Sequence, residues 1–362
     1  MSAPLMQEIK RRIETAGPIG LADYMELALG HPAHGYYATR DPLGAKGDFV
    51  TAPEISQMFG ELLGLWCAEA WRRAGAPGKV RLVELGPGRG TLMADALRAL
   101  RLAPDFRAAA TVHLVEASPA LRAVQRATLA GHDVAWHGDL GEVPDGPLLL
   151  IANEFLDALP IRQIVRAEDG WHERLVGLDG AGGFAFTLDP RPTGLAALLP
   201  GALRECAPEG SLVELSPAVL GVAAAIARRV AADGIAALIV DYGHAATGPG
   251  ETLQAVRGHR RHAVLEAPGT ADLTAHVDFA ALGLAAVPPA STLGPVGQGD
   301  FLRRLGIEHR ARTLAAAGNR ADEVAAALRR LTDPAEMGTL FKVLALVPPG
   351  APSPAGFEGV AP

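Results

Sequence analysis

Residues 83–91 read Val-Glu-Leu-Gly-Pro-Gly-Arg-Gly-Thr, and they join an apolar strand pattern at 80–85 to a helical pattern at 92–102. Glycines in such a turn take positive φ and let a ligand approach the backbone closely. The helix that follows begins with unpaired N–H groups, which favour anionic or polar ligands. The stretch therefore predicts a strand, a ligand-binding turn and a helix in immediate succession.

The spacing of the glycines separates two kinds of cofactor turn. A dinucleotide-binding turn, G-x-G-x-x-G, requires a third glycine where Thr91 stands. The pattern present is instead E-x-G-x-G-x-G, whose fixed positions are Glu84, Gly86, Gly88 and Gly90. This pattern resembles motif I of class I S-adenosylmethionine-dependent methyltransferases. The alternative interpretation is a tight strand-to-helix connection that binds no ligand.

Composition excludes several classes of protein. The chain of 362 residues has 49% hydrophobic residues and a formal charge of −7, which argues against a general surface for nucleic acid or anionic lipid. Cys67 and Cys206 are far apart and give no support for a disulfide framework or a metal site. No apolar run reaches the roughly 18 residues that span a bilayer. We therefore expect a cytoplasmic protein without metal, nucleic-acid partner or membrane insertion.

Strand-like and helix-like segments alternate from residue 80 onward, which predicts an α/β fold with a doubly wound, Rossmann-like parallel sheet. The predicted strands are 80–86, 111–116, 133–137, 148–153 and 236–242. The predicted helices include 91–102, 118–130 and 217–233. We expect three parts. Residues 1–79 form a separate, mostly helical N-terminal region with a helix at 54–74, and residues 80–347 form a methyltransferase domain with an antiparallel, substrate-binding insertion at 161–216 and elaborations at 243–340. Residues 348–362 form a disordered tail, because they are rich in Pro, Gly and Ala.

Further polar residues follow the second and third predicted strands. A carboxylate after the second strand is placed to accept hydrogen bonds from two ribose hydroxyls, and Glu116 stands there. After the third strand, the carboxylate of Asp139 is a candidate acceptor for the adenine amino group, and Leu140 offers its backbone N–H. The alternative for Glu116 is an ordinary solvated acid at a strand end.

The fourth predicted strand ends in Asn153-Glu154-Phe155-Leu156-Asp157-Ala158-Leu159-Pro160. Ligands of such sheets bind outside the carboxyl ends of the strands, and unpaired carboxylates are costly to bury for packing alone. We therefore predict that Glu154 and Asp157 form a reactive centre and that Asn153 contacts the cofactor. The alternative is a helix N-terminus, which also favours acids.

The chain resembles the MidA-like methyltransferases, which are related to the mitochondrial complex I assembly factor that acts as a protein arginine methyltransferase. The resemblance extends from residue 5 to about residue 347, and its motifs occur in one order at 35–37, 47–56, 59–61, 84–90, 153–160, 241–243, 272–279 and 298–302. It implies binding of S-adenosylmethionine and methylation of an arginine in a protein subunit of respiratory complex I.

An arginine acceptor needs carboxylates, because a guanidinium stays protonated and its charge delocalises the nitrogen lone pairs. Carboxylates that hold two of its nitrogens leave the third free to attack. Glu154 is one candidate, and the second is Asp157, Asp48 or Asp278. Asp48 and Phe49, in a Gly- and Pro-rich loop, are candidates for contacts with the substrate and for a lid over the cofactor pocket. The alternative is a helix cap and a core aromatic.

Three other functions stay open at the level of sequence. The protein could methylate a small molecule, or it could be an assembly factor that binds S-adenosylmethionine without catalysis. A dehydrogenase is the third alternative, which the glycine spacing disfavours.

Overall fold

Strands and helices alternate along the chain as the sequence predicts. The computed structural model describes residues 3–39, 50–318 and 320–359. Its strands are β1 (Ile19–Gly20), β2 (Val80–Leu85), β3 (Ala110–Val115), β4 (Val134–His137), β5 (Leu148–Asn153), β6 (Arg162–Ala167), β7 (Gly170–Leu178), β8 (Phe184–Pro192), β9 (Leu212–Leu215), β10 (Ala236–His244), β11 (Gln254–Arg257), β12 (Arg260–His262), β13 (Asp272–Thr274), β14 (Val277–Asp278), β15 (Ser291–Gly297) and β16 (Phe341–Val347). Its α-helices are α1 (Ala3–Ala16), α2 (Leu21–Gly30), α3 (Tyr36–Thr39), α4 (Ala52–Ile55), α5 (Gln57–Arg73), α6 (Thr91–Ala99), α7 (Pro104–Ala109), α8 (Pro119–Thr128), α9 (Gly201–Cys206), α10 (Pro217–Asp233), α11 (Phe279–Ala286), α12 (Gln298–Arg304), α13 (Ile307–Ala316), α14 (Ala321–Thr332) and α15 (Met337–Leu340).

The central sheet has the strand order β15-β16-β10-β5-β2-β3-β4. Strands β4, β3, β2, β5 and β10 are parallel, which confirms the predicted α/β fold. At one edge, however, β16 pairs antiparallel with β10 and β15 pairs antiparallel with β16, so the sheet is mixed rather than wholly parallel. The chain starts in the middle with β2, runs outward through β3 and β4, and returns to β5 on the other side of β2. The strand order therefore reverses between β2 and β5, which is where such sheets bind ligands.

Both faces of the central sheet are covered, which explains its continuous apolar strands. Every residue of β5 is buried, and so is every residue of β10 except the last. One face packs against α5 and α6, with Phe59, Leu63 and Trp66 in its core. The other packs against α10 and α11, with Ile226 and Phe279 in its core. This packing fixes the carboxyl ends of the parallel strands as one rigid edge.

The insertion forms an antiparallel sheet, as its turn-rich alternating sequence predicts. The strand order is β1-β7-β6-β9, and β8 pairs with β7. The N-terminal region is not separate from this sheet: Ile19 and Gly20 of β1 pair with Val176 and Leu175 of β7. A two-residue strand carries too little periodicity to be read from sequence. The division of the chain at residues 79 and 347 stays a prediction.

The helix predicted at 54–74 is two helices. Ser56 lies between α4 and α5 in an extended conformation (φ −163°, ψ 138°), and its hydroxyl accepts a hydrogen bond from the Met58 N–H at 3.2 Å. This is the geometry of an N-cap, which begins a new helix.

Residues 348–359 pack on the core although their composition predicts disorder. Phe357 is fully buried, and its ring lies 5.4 Å from that of Phe301. Trp66 donates its indole N–H to the Ala355 carbonyl at 3.0 Å. These contacts therefore outweigh the Pro- and Gly-rich composition on which the prediction rested.

Candidate functional site

The glycine turn after β2 has the conformation that its sequence predicts. Gly86, Gly88 and Gly90 take φ values of 60°, 53° and 81°. A side chain at Gly86 would also place its Cβ 2.6 Å from the ring of Phe155. Both restrictions require glycine there.

Glu84 lies beneath this turn and is almost fully buried, at 3% exposure. Burial raises the pKa of Glu84 to about 8. Within the described residues, its Oε2 atom has no hydrogen-bond partner. A buried polar atom of this kind usually has a partner, so a polar ligand would complete the site.

Glu116 follows β3 and is tied into a hydrogen-bonded network. Its carboxylate accepts from the Ser118 N–H at 2.8 Å and from Gln125 Nε2 at 3.2 Å. Burial raises the pKa of Glu116, and these two hydrogen bonds oppose the rise. Gln125 also donates to the Gly88 carbonyl at 2.8 Å and accepts from Trp136 Nε1 at 3.0 Å. The network therefore couples the glycine turn to the ends of β3 and β4.

Gln125 is a residue that the sequence analysis missed. It is fully buried on α8, four residues after Leu121 and four before Leu129, which are also buried. A polar residue on the buried stripe of an amphipathic helix is the signal that would have identified it.

Asp139 and Leu140 follow β4 at the same edge of the sheet. Asp139 is exposed, and its Oδ1 accepts a hydrogen bond from the Gly141 N–H at 2.6 Å, where it caps a short 3-10 helix. The Leu140 side chain packs against the core, and its carbonyl accepts from Arg229 at 3.3 Å. The proposed contact with adenine stays a prediction for both.

The predicted acidic segment follows β5, and we name residues 153–157 the acid turn. Glu154 has a φ of +48°, which few residues other than glycine adopt. Its backbone N–H donates to the Val240 carbonyl at 2.9 Å. Its Oε1 accepts from the Ala52 N–H at 2.8 Å and from Asn153 Nδ2 at 3.2 Å. Burial raises the pKa of Glu154 to about 7.

Asp157 is buried at 8% exposure, and its Oδ1 has no hydrogen-bond partner among residues 3–39, 50–318 and 320–359. Burial raises the pKa of Asp157 to about 6, and a hydrogen bond from the Tyr242 side chain opposes the rise. Its backbone is fixed on both sides. The N–H donates to Asp241 Oδ2 at 3.3 Å, and the carbonyl accepts from the Ala275 N–H at 3.0 Å.

Asp241 is a third carboxylate at this turn, and sequence reasoning gave it no role. It is fully buried, and its carboxylate accepts hydrogen bonds from the backbone N–H groups of Leu156 and Tyr242 at 2.9 Å each. The same carboxylate accepts from the backbone N–H of Asp157 at 3.3 Å. Burial raises the pKa of Asp241 well above its usual range, and the charges of Asp157 and Glu154 raise it further. The signal in the sequence is an acid inside the apolar strand 236–242.

The N-terminal region also reaches the site. The Tyr37 hydroxyl donates to both carboxylate oxygens of Asp272, at 2.9 and 3.0 Å. The Tyr37 carbonyl accepts from the Ser118 hydroxyl at 2.9 Å. Tyr37 therefore joins the loop after β3 to β13, beside the acid turn.

Other candidates have different surroundings. Asp278 caps α11 through the Ala281 N–H at 3.0 Å. Asp48 and Phe49 lie outside the described residues.

The described residues contain neither a candidate metal cluster nor a candidate membrane span. In that part of the chain, no group of three or more His, Cys, Asp or Glu side chains is arranged to hold a metal ion. None of the helices described there has the length and apolar character to cross a membrane.

The known proteins to which this chain is similar are methyltransferases. Residues 62–296 match the model of a family described as S-adenosyl-L-methionine-dependent methyltransferases. The protein named protein arginine methyltransferase NDUFAF7, mitochondrial, from Danio rerio is 38% identical over 95% of this chain and 86% of its own length. The Mus musculus protein of that name is 39% identical over 95% of this chain and 84% of its own length.

A solved structure agrees with these relatives. The crystal structure of a Burkholderia thailandensis protein bound to S-adenosyl-homocysteine matches with a TM-score of 0.86 and 31% identity. The match covers 99% of this chain and 96% of that protein. One expectation is wrong by these comparisons: we expected a cytoplasmic location, and the animal relatives are named as mitochondrial proteins.

Proposed function

This chain belongs to the family of S-adenosyl-L-methionine-dependent methyltransferases, and we propose that it methylates an arginine side chain of a protein. The observation that carries this proposal is the acid turn, where Glu154 and Asp157 lie beside the buried Asp241. Three carboxylates in one poorly solvated place repel each other, and a bound cation relieves that repulsion. The relatives named protein arginine methyltransferases support the same acceptor.

We propose that the cofactor is held by residues at the carboxyl ends of β2 to β5. These residues are Glu84, Gly86, Gly88, Gly90, Glu116, Asp139, Leu140 and Asn153. Two buried oxygens without a partner in the described residues, Glu84 Oε2 and Asn153 Oδ1, are free to accept from a ligand. Each carboxylate oxygen of Glu116 retains a lone pair for a ribose hydroxyl. S-adenosylmethionine, once bound, supplies a methyl group on a positively charged sulfur.

The acid turn in this proposal prepares the acceptor. The carboxylates of Glu154 and Asp157 each bind a nitrogen of the guanidinium through charge-assisted hydrogen bonds. They draw its positive charge toward those two nitrogens, so the third is left as the nucleophile. Methyl transfer leaves the acceptor group with one excess positive charge, and a neighbouring carboxylate takes the proton whose loss removes that charge. Holding the two reactants in the right orientation lowers the activation free energy by roughly 7–11 kcal/mol.

For the protein substrate, we propose a subunit of respiratory complex I or its bacterial counterpart. The support for this choice is the resemblance to MidA-like methyltransferases. Residues 3–39 and 50–79 contact the acid turn through Ala52 and the insertion sheet through β1, and these added contacts beside the site also favour a protein acceptor.

The test is transfer of labelled methyl groups to proteins in extract from a strain that lacks this protein. We expect label in the protein fraction that hydrolyses to methylarginine. Glu154→Gln and Asp157→Asn should each lower kcat by about 100-fold or more, as loss of a transition-state hydrogen bond does. Glu168→Gln, which changes an exposed acid of the insertion, should leave kcat unchanged. Label only in the low-mass fraction would favour a small-molecule acceptor, and no label at all would favour a non-catalytic assembly factor.

A further inference from the structure

A groove of about 730 Å³ lies between the N-terminal helices and the chain that follows the acid turn. One wall is formed by α1, β1 and α2, and includes Asp23, Glu26 and Leu27. The other wall includes Ala158 and Pro160, which follow the acid turn in the chain. The volume is within the range of pockets that bury ligands.

The unpaired charge in this groove is negative. Asp23 and Glu26 are exposed and three residues apart on α2, so they share one face of the helix. Neither carboxylate has an ion-pair or hydrogen-bond partner among the described residues. Arg12 also lines the groove, but it is bound to Glu8 at 2.6 Å, and His31 faces the same Glu8 at 3.2 Å.

The lining also has an apolar part, formed by Ile19, Leu27 and Leu29. Long basic side chains suit such a mixture, because their aliphatic stems cover apolar surface while their charged ends reach carboxylates. An acidic side chain in the same place would face two uncompensated carboxylates.

We infer that this groove binds the peptide segment that flanks the acceptor arginine, and that it selects lysine or arginine in that segment. This inference rests on the proposed function. Ala158 is bonded to Asp157, and in this proposal the peptide whose arginine reaches the Asp157 carboxylate runs along Ala158 and Pro160 into the groove. Asp23 and Glu26 then bind the basic side chains of that peptide.

One structural alternative applies to Asp23 but not to Glu26. Asp23 lies in the first turn of α2, where a carboxylate stabilises the helix end. Glu26 lies in the middle of α2 and gains little from that effect. A Glu26 variant therefore separates substrate binding from helix stability.

The test is fluorescence anisotropy with two labelled peptides, in the presence of S-adenosyl-homocysteine. Both contain one central arginine in a Gly/Ser sequence, flanked on each side by two lysines in one peptide and by two glutamates in the other. We expect the lysine peptide to bind about fivefold more tightly, in line with one or two exposed ion pairs, and the difference to shrink at high salt.

The variants Glu26→Gln and Asp23→Asn/Glu26→Gln should remove most of this preference while the melting temperature of Glu26→Gln stays at the wild-type value. Glu14→Gln on α1, which changes an exposed acid outside the groove, should keep the preference for the lysine peptide. Equal affinity of wild type for both peptides, or an unchanged preference in the double variant, would overturn the inference.

The label-transfer assay on extract separates this inference from the proposed function. Label on protein arginine without a charge preference in peptide binding refutes this inference alone. Absence of label refutes the proposed function.

Discussion

Asp157 and Glu154 are held in place by different parts of the chain. The Ala52 N–H fixes the Glu154 carboxylate, and the buried Asp241 fixes the Asp157 N–H. Burial raises the pKa of both side chains, so the site without substrate carries less negative charge than its composition suggests. A guanidinium that enters the site restores the ionised forms, because an opposite charge nearby favours them.

These pKa values predict how activity depends on pH. The carboxylates bind the acceptor in their ionised forms, and their raised pKa values lie near 6 and 7. We therefore expect kcat/KM for methyl transfer to be highest above pH 7.5 and to fall as the pH drops through 7 to 6. The charge of Asp157 raises the pKa of Glu154, and the charges of both raise the pKa of Asp241, so the profile gives macroscopic values for the cluster. A rate that stays constant between pH 5.5 and 8 would contradict the assignment.

Asp241 should act as a positioning residue. Asp241→Asn keeps the size of the side chain but replaces one acceptor oxygen by a donor, so a buried N–H of Leu156, Asp157 or Tyr242 loses its partner. We expect a loss of about 1–3 kcal/mol in the free energy of unfolding and a lower kcat.

In this proposal Asp241 holds the backbone of the acid turn and does not contact the cofactor. The loss should therefore fall on kcat, while the Kd for S-adenosylmethionine stays at the wild-type value, which a general structural loss would not produce. Asp145→Asn, at a position 92% exposed, is the matched control and should change neither stability nor kcat. A wild-type kcat in Asp241→Asn would show that Asp241 does not position the acid turn.

At the level of elements, the sequence predicts the central strands because they are long apolar runs bounded by turns. The predicted strand 148–153 coincides with β5, and 133–137 differs from β4 by one residue. The antiparallel edge formed by β16 and β15 could not be predicted in the same way. The apolar pattern of 341–347 identifies a strand but carries no information about its direction. Strand direction depends on pairing with distant residues.

Gly86→Ala tests the glycine turn as an element. Alanine at φ +60° costs about 1–2 kcal/mol, and its Cβ would lie 2.6 Å from the Phe155 ring, so the turn must shift. We expect affinity for S-adenosylmethionine to fall at least tenfold by calorimetry, with a lower melting temperature. Gly78→Ala is the control, because a Cβ there meets nothing within 4 Å. Wild-type affinity in Gly86→Ala would contradict the role of the turn.

At the level of the whole molecule, the predicted site residues that the structure describes lie at the carboxyl ends of β2 to β5, while most residues that hold them were missed. The sequence placed Glu116, Glu154 and Asp157 at strand ends, because that inference needs only local patterns. Periodicity marks Gln125 as a buried polar residue, but its contact with Gly88 and that of Tyr37 with Asp272 join segments far apart in the chain, which local periodicity cannot reveal.

Residues 348–359 should stabilise the whole fold without taking part in cofactor binding. Phe357→Ala removes a fully buried ring that packs on Phe301, and large-to-small changes of this type cost about 3–5 kcal/mol. We expect a lower melting temperature and an unchanged Kd for S-adenosylmethionine at a temperature where the variant is folded. A wild-type melting temperature would show that the segment contributes nothing to stability.

The central claim is that the glycine turn serves the cofactor and the acid turn serves the acceptor. The most direct measurement is calorimetric titration with S-adenosylmethionine combined with methyl transfer, for Glu116→Ala and for Glu154→Gln. The account predicts that Glu116→Ala loses at least tenfold in cofactor affinity, because it removes a charge-assisted contact. Glu154→Gln should bind the cofactor within about threefold of wild type, a difference of less than 1 kcal/mol, yet lose methyl transfer to protein arginine. Full transfer by Glu154→Gln, or equal loss of cofactor binding in both variants, would contradict the account.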